Sequence, residues 1–261
     1  MSDTDPVLLP IVYEFPLNER VRTFLRLDFL ARQFSYFSSG ASLWDIRSAV
    51  SVLLDSAVLV DRSDLRSEML KELERQISIL SPLEKAVGVD LQRLRETLDE
   101  LDIATDRIKS YNGPFAYGLR NNELLLSVQN RSAIPGGTCS FDLPAYHAWL
   151  EHGTESCEKD LQHWAQEFEP VWKTAELALR LIRDSGSLHP KLAEKGILQI
   201  DLNPELACQM VRVVLPGDVT YYAEIAGGRH QVTVRFLAAQ PKGPPVQVQE
   251  DISFQLAFCI L

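Results

Sequence analysis

Few residues in this chain have the types and spacing that covalent chemistry requires. Cys139 and His147 could be drawn as a nucleophile and its base, but no third group is placed to orient the imidazole. The simpler reading packs Cys139 in a turn and puts His147 on a helix, partly exposed. His147 and His152 are spaced i,i+5, which sends them to different helical faces and spoils them as paired ligands. His163, His189 and His230 stand apart. Cys139, Cys157, Cys208 and Cys259 contain no C-x-x-C pair and no zinc-finger spacing, so they read as reduced, buried thiols. The carboxylates Asp99, Glu100 and Asp102 sit on the polar side of a helical stripe, where a solvated face explains them better than acid–base work. Gly136-Gly137 is not followed by Lys-Ser and is natural as a turn. Nucleotide-binding, metalloprotease and serine-hydrolase signatures are absent. No catalytic residue, metal or cofactor is expected.

A sharper constellation lies near the C-terminus. In the strand around Val232, side chains alternate between faces. Val232, Val234 and Phe236 share the face expected to enter a core, and Arg229, Gln231, Thr233 and Arg235 share the other. Two arginines then project together. They are either a solvated face paired with nearby acids or a docking site for a carboxylate-bearing peptide, which a guanidinium grips with two parallel hydrogen bonds.

Charge narrows the partners. The formal net charge is −10, which argues against a general nucleic-acid binder. Residues 1–113 carry 14 basic and 19 acidic side chains, residues 114–186 carry 6 and 10, and residues 187–261 carry 6 and 7. The last third is thus nearly neutral, and a local basic site fits there most easily. The start, Met1-Ser2-Asp3-Thr4-Asp5, is acidic and polar, so a signal peptide is not expected. No apolar run approaches the ~18 residues of a membrane span. A soluble cytoplasmic protein without membrane insertion is the expectation.

The elements that must position these residues are legible from periodicity. Val7 to Glu14 reads as a strand and Asn18 as a helix N-cap. Glu19 to about Phe37 predicts a helix apolar on most of its circumference, which wants neighbours on several sides and suits a bundle centre or an interface. Further helices are predicted from Leu43 to Val60, with Ser42 and Asp45 as a capping pair, and then from Asp64 to Leu80 and from Leu91 to Lys109. The stretch from Phe115 to Asn130 is read as helical, with Asn121-Asn122-Glu123 as a start. A short helix reaches Trp149 with Asp142 as N-cap and Pro144 in its first turn. Ser156 to Asp184 is helical, with Pro170 marking a kink or junction. Strands are predicted at Gly196–Leu202, Cys208–Leu215, Val219–Ile225, His230–Leu237 and Ile252–Ile260. The fold class is α+β. An α-helical bundle domain at 17–186 precedes a smaller, mostly antiparallel β domain at 187–261, completed by the N-terminal strand 7–15.

Three segments resemble the ZapD family. Phe15-Pro16-Leu17-Asn18-Glu19-Arg20 with Arg22-Thr23-Phe24-Leu25-Arg26-Leu27 is similar to its N-terminal motif. The run from Leu65 to Gln76 resembles its second shared block. The third, Ile134-Pro135-Gly136-Gly137-Thr138-Cys139-Ser140-Phe141-Asp142-Leu143-Pro144 followed by His147 and Trp149, is the most specific. The resemblance implies a helical domain plus a β domain, a homodimer, no catalysis and no cofactor. It implies binding to the C-terminal tail of FtsZ, bundling of FtsZ filaments and recruitment to the midcell division ring. Its basic binding residues fall on Arg26, Arg62, His147 and Arg235, with Arg131 and Arg229 as neighbouring candidates. Gln231 and Glu123 stand where relatives can carry arginine. Two other readings remain: the same fold serving another acidic cytoplasmic partner, and an enzyme using Cys139 and His147.

Overall fold

The computed structural model describes residues 8–61, 64–203, 205–228 and 230–261. The fold is α+β, and the chain divides into two compact units. Met1–Arg22 and Leu179–Leu261 make one, and Thr23–Ala178 makes the other.

The first unit is built on two antiparallel sheets. Strands β1 (Ile11–Pro16), β4 (Met210–Leu215), β8 (Ile252–Cys259) and β2 (His189–Ala193) form one sheet in that order. Strands β3 (Ile197–Asp201), β6 (Gln231–Ala238) and β5 (Tyr221–Gly227) form the other, with β7 (Val246–Gln247) also pairing β6. Alternation explains the arrangement. Val211, Val213 and Leu215 from β4 meet Val232, Val234 and Phe236 from β6 and Ile252, Phe254 and Leu256 from β8 in one buried cluster. Phe236 and Phe254 bring the two sheets together edge to face, with ring centroids 5.0 Å apart.

The opposite face of the β1–β4–β8 sheet carries charge. Glu14 lies beside Arg212 in register. Its carboxylate accepts bonds from Arg183 Nε at 2.9 Å and Nη2 at 2.8 Å, and Arg212 Nε stands 3.1 Å away. One mostly buried acid therefore ties an N-terminal strand, the end of a helix and a C-terminal strand.

The second unit is helical. Helix α1 (Glu19–Ser38) and helix α9 (Glu169–Asp184) each run from one unit into the other along the chain. Between them lie α2 (Leu43–Val60), α3 (Leu65–Leu80), a 3₁₀ turn (Ser81–Lys85), α4 (Leu91–Ser110), α5 (Tyr117–Arg120), α6 (Glu123–Ser132), α7 (Pro144–Glu151) and α8 (Thr154–Ala165). Polar caps fix the starts. Ser42 and Asp45 form a reciprocal capping box, and the side chains of Asn18, Asp90 and Asn122 each accept from the first-turn amides. Apolar stripes supply the packing: Ile46, Val50, Leu53 and Ala57 from α2, Leu65, Met69 and Leu73 from α3, and Leu94, Leu101 and Ile108 from α4. Glu72 and Gln76 of α3 are polar and fully buried among them. Gln76 donates to Glu72 at 3.0 Å and to the carbonyl of Ala178 at 3.1 Å, and Arg75 pairs with the same Glu72 carboxylate.

The structure corrects several expectations. The N-terminal strand runs from Ile11 to Pro16, and Val7 lies outside the described residues. The β unit is antiparallel as expected but divides into two sheets that share the core, and β2 and β7 are strands that period-2 reading passed over. β2, His189–Ala193, begins His-Pro-Lys, and β7 follows a Pro-rich loop. Both are edge-type sequences whose pairing depends on a distant partner. Asp142 does not cap α7: Leu143 occupies the cap with no side-chain bond. The helical run after Ser156 does break, between Ala165 and Glu169, so of the two readings of Pro170 the junction holds, and the proline sits in the first turn of α9. Helix α1 is not enclosed all round in this chain, because Phe29 is exposed.

Replacing Glu14 by Ala leaves two guanidinium groups without their shared anion. The expected loss is about 3 kcal/mol of unfolding free energy, read by urea denaturation. A variant as stable as the parent would show that the cluster contributes nothing.

Candidate functional site

Of the basic residues singled out in the sequence, Arg26, Arg131 and His147 lie in the helical unit and Arg235 in the β unit. Arg26 projects from α1 into an open groove floored by α2, and none of the other described candidates lines that groove. Among the described residues it forms no hydrogen bond and no ion pair. Arg131 ends α6 and Nη1 lies 3.4 Å from the Asp142 carboxylate. His147, exposed on α7, has Nδ1 3.8 Å from Glu151. Arg131 and His147 thus flank one segment, the turns from Ala133 to Leu143. Arg235 belongs to the other unit, on the outer face of β6, with Nη1 3.7 Å from Glu224 on β5. Arg62 and Arg229 lie outside the described residues.

On β6 the alternation places side chains as their parity requires. Val232, Val234 and Phe236 are fully buried, while Gln231 and Arg235 are exposed. Acids on neighbouring strands face this surface, since Gln231 donates to Asp201 at 3.1 Å and Arg235 pairs with Glu224. Both members of the Arg235–Glu224 pair are about half exposed, and such pairs contribute little and exchange partners readily. Glu123, the other departure, lies in the first turn of α6, where a carboxylate suits the helix dipole.

The segment that carries the third motif is held by a residue that sequence reading missed. Arg47 of α2 donates to the carbonyl oxygen of Thr138 at 3.1 Å and lies 5.1 Å from the Tyr146 ring and 5.6 Å from the Trp44 ring. Burial pushes the Tyr146 hydroxyl up to about 12, so the ring stays neutral beneath the cation. Trp44 and Arg47 share a helical face at i,i+3, which was legible. Thr138 and Tyr146 are distant in sequence, which was not. The turn itself needs its glycines. Gly136 has φ +71°, and a Cβ on Gly137 would lie 2.6 Å from the carbonyl oxygen of Arg131. Phe141, at the outer edge of this turn, is 84% exposed.

Cys139 and His147 are not hydrogen-bonded to each other. Cys139 Sγ instead lies 3.6 Å from Asp142, and His147 engages Glu151. All four cysteines are free thiols, but only Cys157 and Cys259 are buried, while Cys139 and Cys208 are half-buried. Burial raises the thiols of Cys157 and Cys208 above the ordinary value and pushes Cys259 up to about 12. Among the described residues no cluster of His, Cys, Asp and Glu could hold a metal ion, and no helix is long and apolar enough to cross a membrane.

Fold and surface describe an α+β protein that presents exposed arginines and exposed aromatic rings. The ZapD family model, described as a cell division protein, matches residues 25–235. A cell division protein ZapD from Methylococcus capsulatus is 43% identical over 251 residues, covering 96% of this chain and 98% of that one. Others from Chromobacterium violaceum and an Azoarcus species are 34% and 33% identical, covering 95% and 96% of this chain and 99% and 100% of their own. The chain belongs to the ZapD family, and its role is in cell division.

Thiol reactivity tests the burial assigned to the cysteines. With a pKa of about 12, Cys259 holds a thiolate fraction on the order of one part in ten thousand at pH 8. Iodoacetamide on the native protein, followed by peptide mass spectrometry, is expected to label Cys139 first and Cys259 last. Equal labelling rates would contradict the buried position of Cys259.

Proposed function

We propose that the protein binds the C-terminal tail of FtsZ and, as a two-fold homodimer, cross-links FtsZ filaments at the midcell division ring. Membership of the ZapD family carries the reading. Support comes from the state of its basic residues. Arg26 is unpaired among the described residues, Arg131 and Arg235 are held by long, exposed contacts, and His147 lies beside a single exposed acid. Cations held so loosely can exchange an internal carboxylate for one on a partner at little cost. The chain needs no bound group or covalent step for this work.

The physics of such an adaptor favours many weak contacts. A flexible tail loses conformational entropy when it docks, so each contact is modest. A two-fold dimer presents two equivalent sites. A filament presents many tails, and linked binding events raise the overall affinity without any single tight contact. The acid load of the chain, net −10, fits a site made from local cations instead of a broad positive field. Gln231 and Glu123 make this chain's surface less positive than an arginine at either position would.

Sedimentation of FtsZ filaments tests the reading. The protein is expected to pellet with full-length FtsZ and not with FtsZ lacking its C-terminal tail, and the pelleted fraction should fall as salt rises. Arg235→Glu is expected to weaken binding on the order of tenfold while leaving the protein folded. Pelleting with tail-less FtsZ would point to another docking mode, and failure with both forms would refute the partner.

A further inference from the structure

The groove at Arg26 has a composition that a simple basic patch would not have. Among the described residues six line it: Arg26, Phe29 and Leu30 from α1, and Asp55, Val58 and Leu59 from α2. Its volume is about 370 Å³, room for a few side chains. Phe29 is 55% exposed and Val58 62% exposed, although both are large apolar residues facing a concavity. Arg26 and Asp55 stand in the same groove, yet they are not paired with each other, and among the described residues neither has a hydrogen-bonding or ion-pairing partner. Burial raises the Asp55 carboxyl above its ordinary value, with no cation to offset it. The groove therefore offers an unmatched cation, an apolar floor and an unmatched acid.

We propose that this groove is a docking site for a short extended peptide carrying an acidic, an apolar and a basic side chain. The acid pairs with Arg26, the apolar side chain covers Phe29 and Val58, and the base pairs with Asp55. This rests on the tail-binding reading above and deepens it, because it makes the ligand mixed in charge instead of simply acidic. Each charge completes a half-made pair, and the apolar contact supplies the buried area that exposed ion pairs lack. Val58 also borders a second groove of about 170 Å³, shared with Leu119 and Arg120, so an extended chain crossing Val58 meets a second concavity. A second copy of this chain would have to seat a different part of its surface in the groove, and the oligomeric mass of a groove variant distinguishes that occupant.

The test uses the full chain and a fluorescent synthetic peptide of the FtsZ C-terminal tail, with binding read by anisotropy. Three altered peptides replace its acidic, its apolar or its basic side chains by Gln or Ser. Val58→Asp and Phe29→Ala are each expected to weaken binding of the parent peptide by about tenfold or more. Both positions are exposed, so circular dichroism should show unchanged folding. Asp55→Asn should erase the difference between the parent peptide and the one lacking its bases, and Arg26→Gln the difference for the one lacking its acids. If Val58→Asp and Phe29→Ala bind the parent peptide normally while Arg235→Glu does not, the groove is not the site, although the tail-binding reading stands. If Val58→Asp leaves peptide binding intact but shifts the oligomeric mass in light scattering, the groove is a contact between copies and the proposal fails. If the unaltered protein binds no peptide, both readings fall together.

Discussion

The shared carboxylate of Glu14 is the constraint on which the β unit depends. It sits near the start of the chain, yet its partners Arg183 and Arg212 come from the last third. Strand β1 also fills an edge of the sheet beside β4, with Ile11 opposite Leu215 and Pro16 opposite Met210. A sheet assembled from both ends of a chain cannot close until the segment between them has been made. Long-range pairing of this kind is slow, because loop closure costs entropy before any contact rewards it. Two strong hydrogen bonds from one guanidinium to one carboxylate reward that closure with defined geometry. Pro16 at the end of β1 and Asn18 as cap of α1 then turn the chain from strand to helix within a few residues.

The helical unit solves a different problem. Its helices form from local signals, and the capping residues and apolar stripes are written in sequence order. Specific packing comes from rarer, non-local events. Gln76 reaches the carbonyl of Ala178 on α9, and Arg47 reaches Thr138 in the turns before α7. A buried glutamine or a ring-stacked arginine accepts few alternative neighbours, since every wrong arrangement leaves a polar group without a partner. Such contacts fix which surfaces meet. Arg47 in particular converts the Gly136-Gly137 turns into an ordered edge with Phe141 outermost.

How much of this was legible follows from the range of the forces. The helices were readable to within a few residues because their periodicity, the Ser42–Asp45 box and the Asn122 cap act within one or two turns. The inward face of β6 was readable because parity alone separates Val232, Val234 and Phe236 from Arg235. The second sheet was hidden, because strand order depends on pairings such as β3 with β6 that no local pattern encodes. Asp142 misled as a cap because its carboxylate is taken up by Arg131. Cysteine burial was readable for Cys157 and Cys259 but not for Cys139 and Cys208, which sit where chain direction changes. At the candidate site, residue identity was legible and pairing state was not. Arg26 and Arg235 look alike in sequence, yet one lies in a largely apolar groove with its charge unpaired and the other faces Glu224 across a strand.

That difference in pairing bears on how a net-acidic protein can recognise another protein at all. With ten more negative than positive charges, the long-range field repels an acidic ligand, and salt screens attraction and repulsion alike. Recognition must then come from short-range features: a guanidinium without a counter-ion, an exposed ring and a concavity beside them. Arg26 with Phe29 and Val58 is such a combination. Weak recognition at each contact is compatible with firm assembly, because a repeating partner multiplies contacts. It also keeps assembly reversible, since each contact can open alone while its neighbours hold.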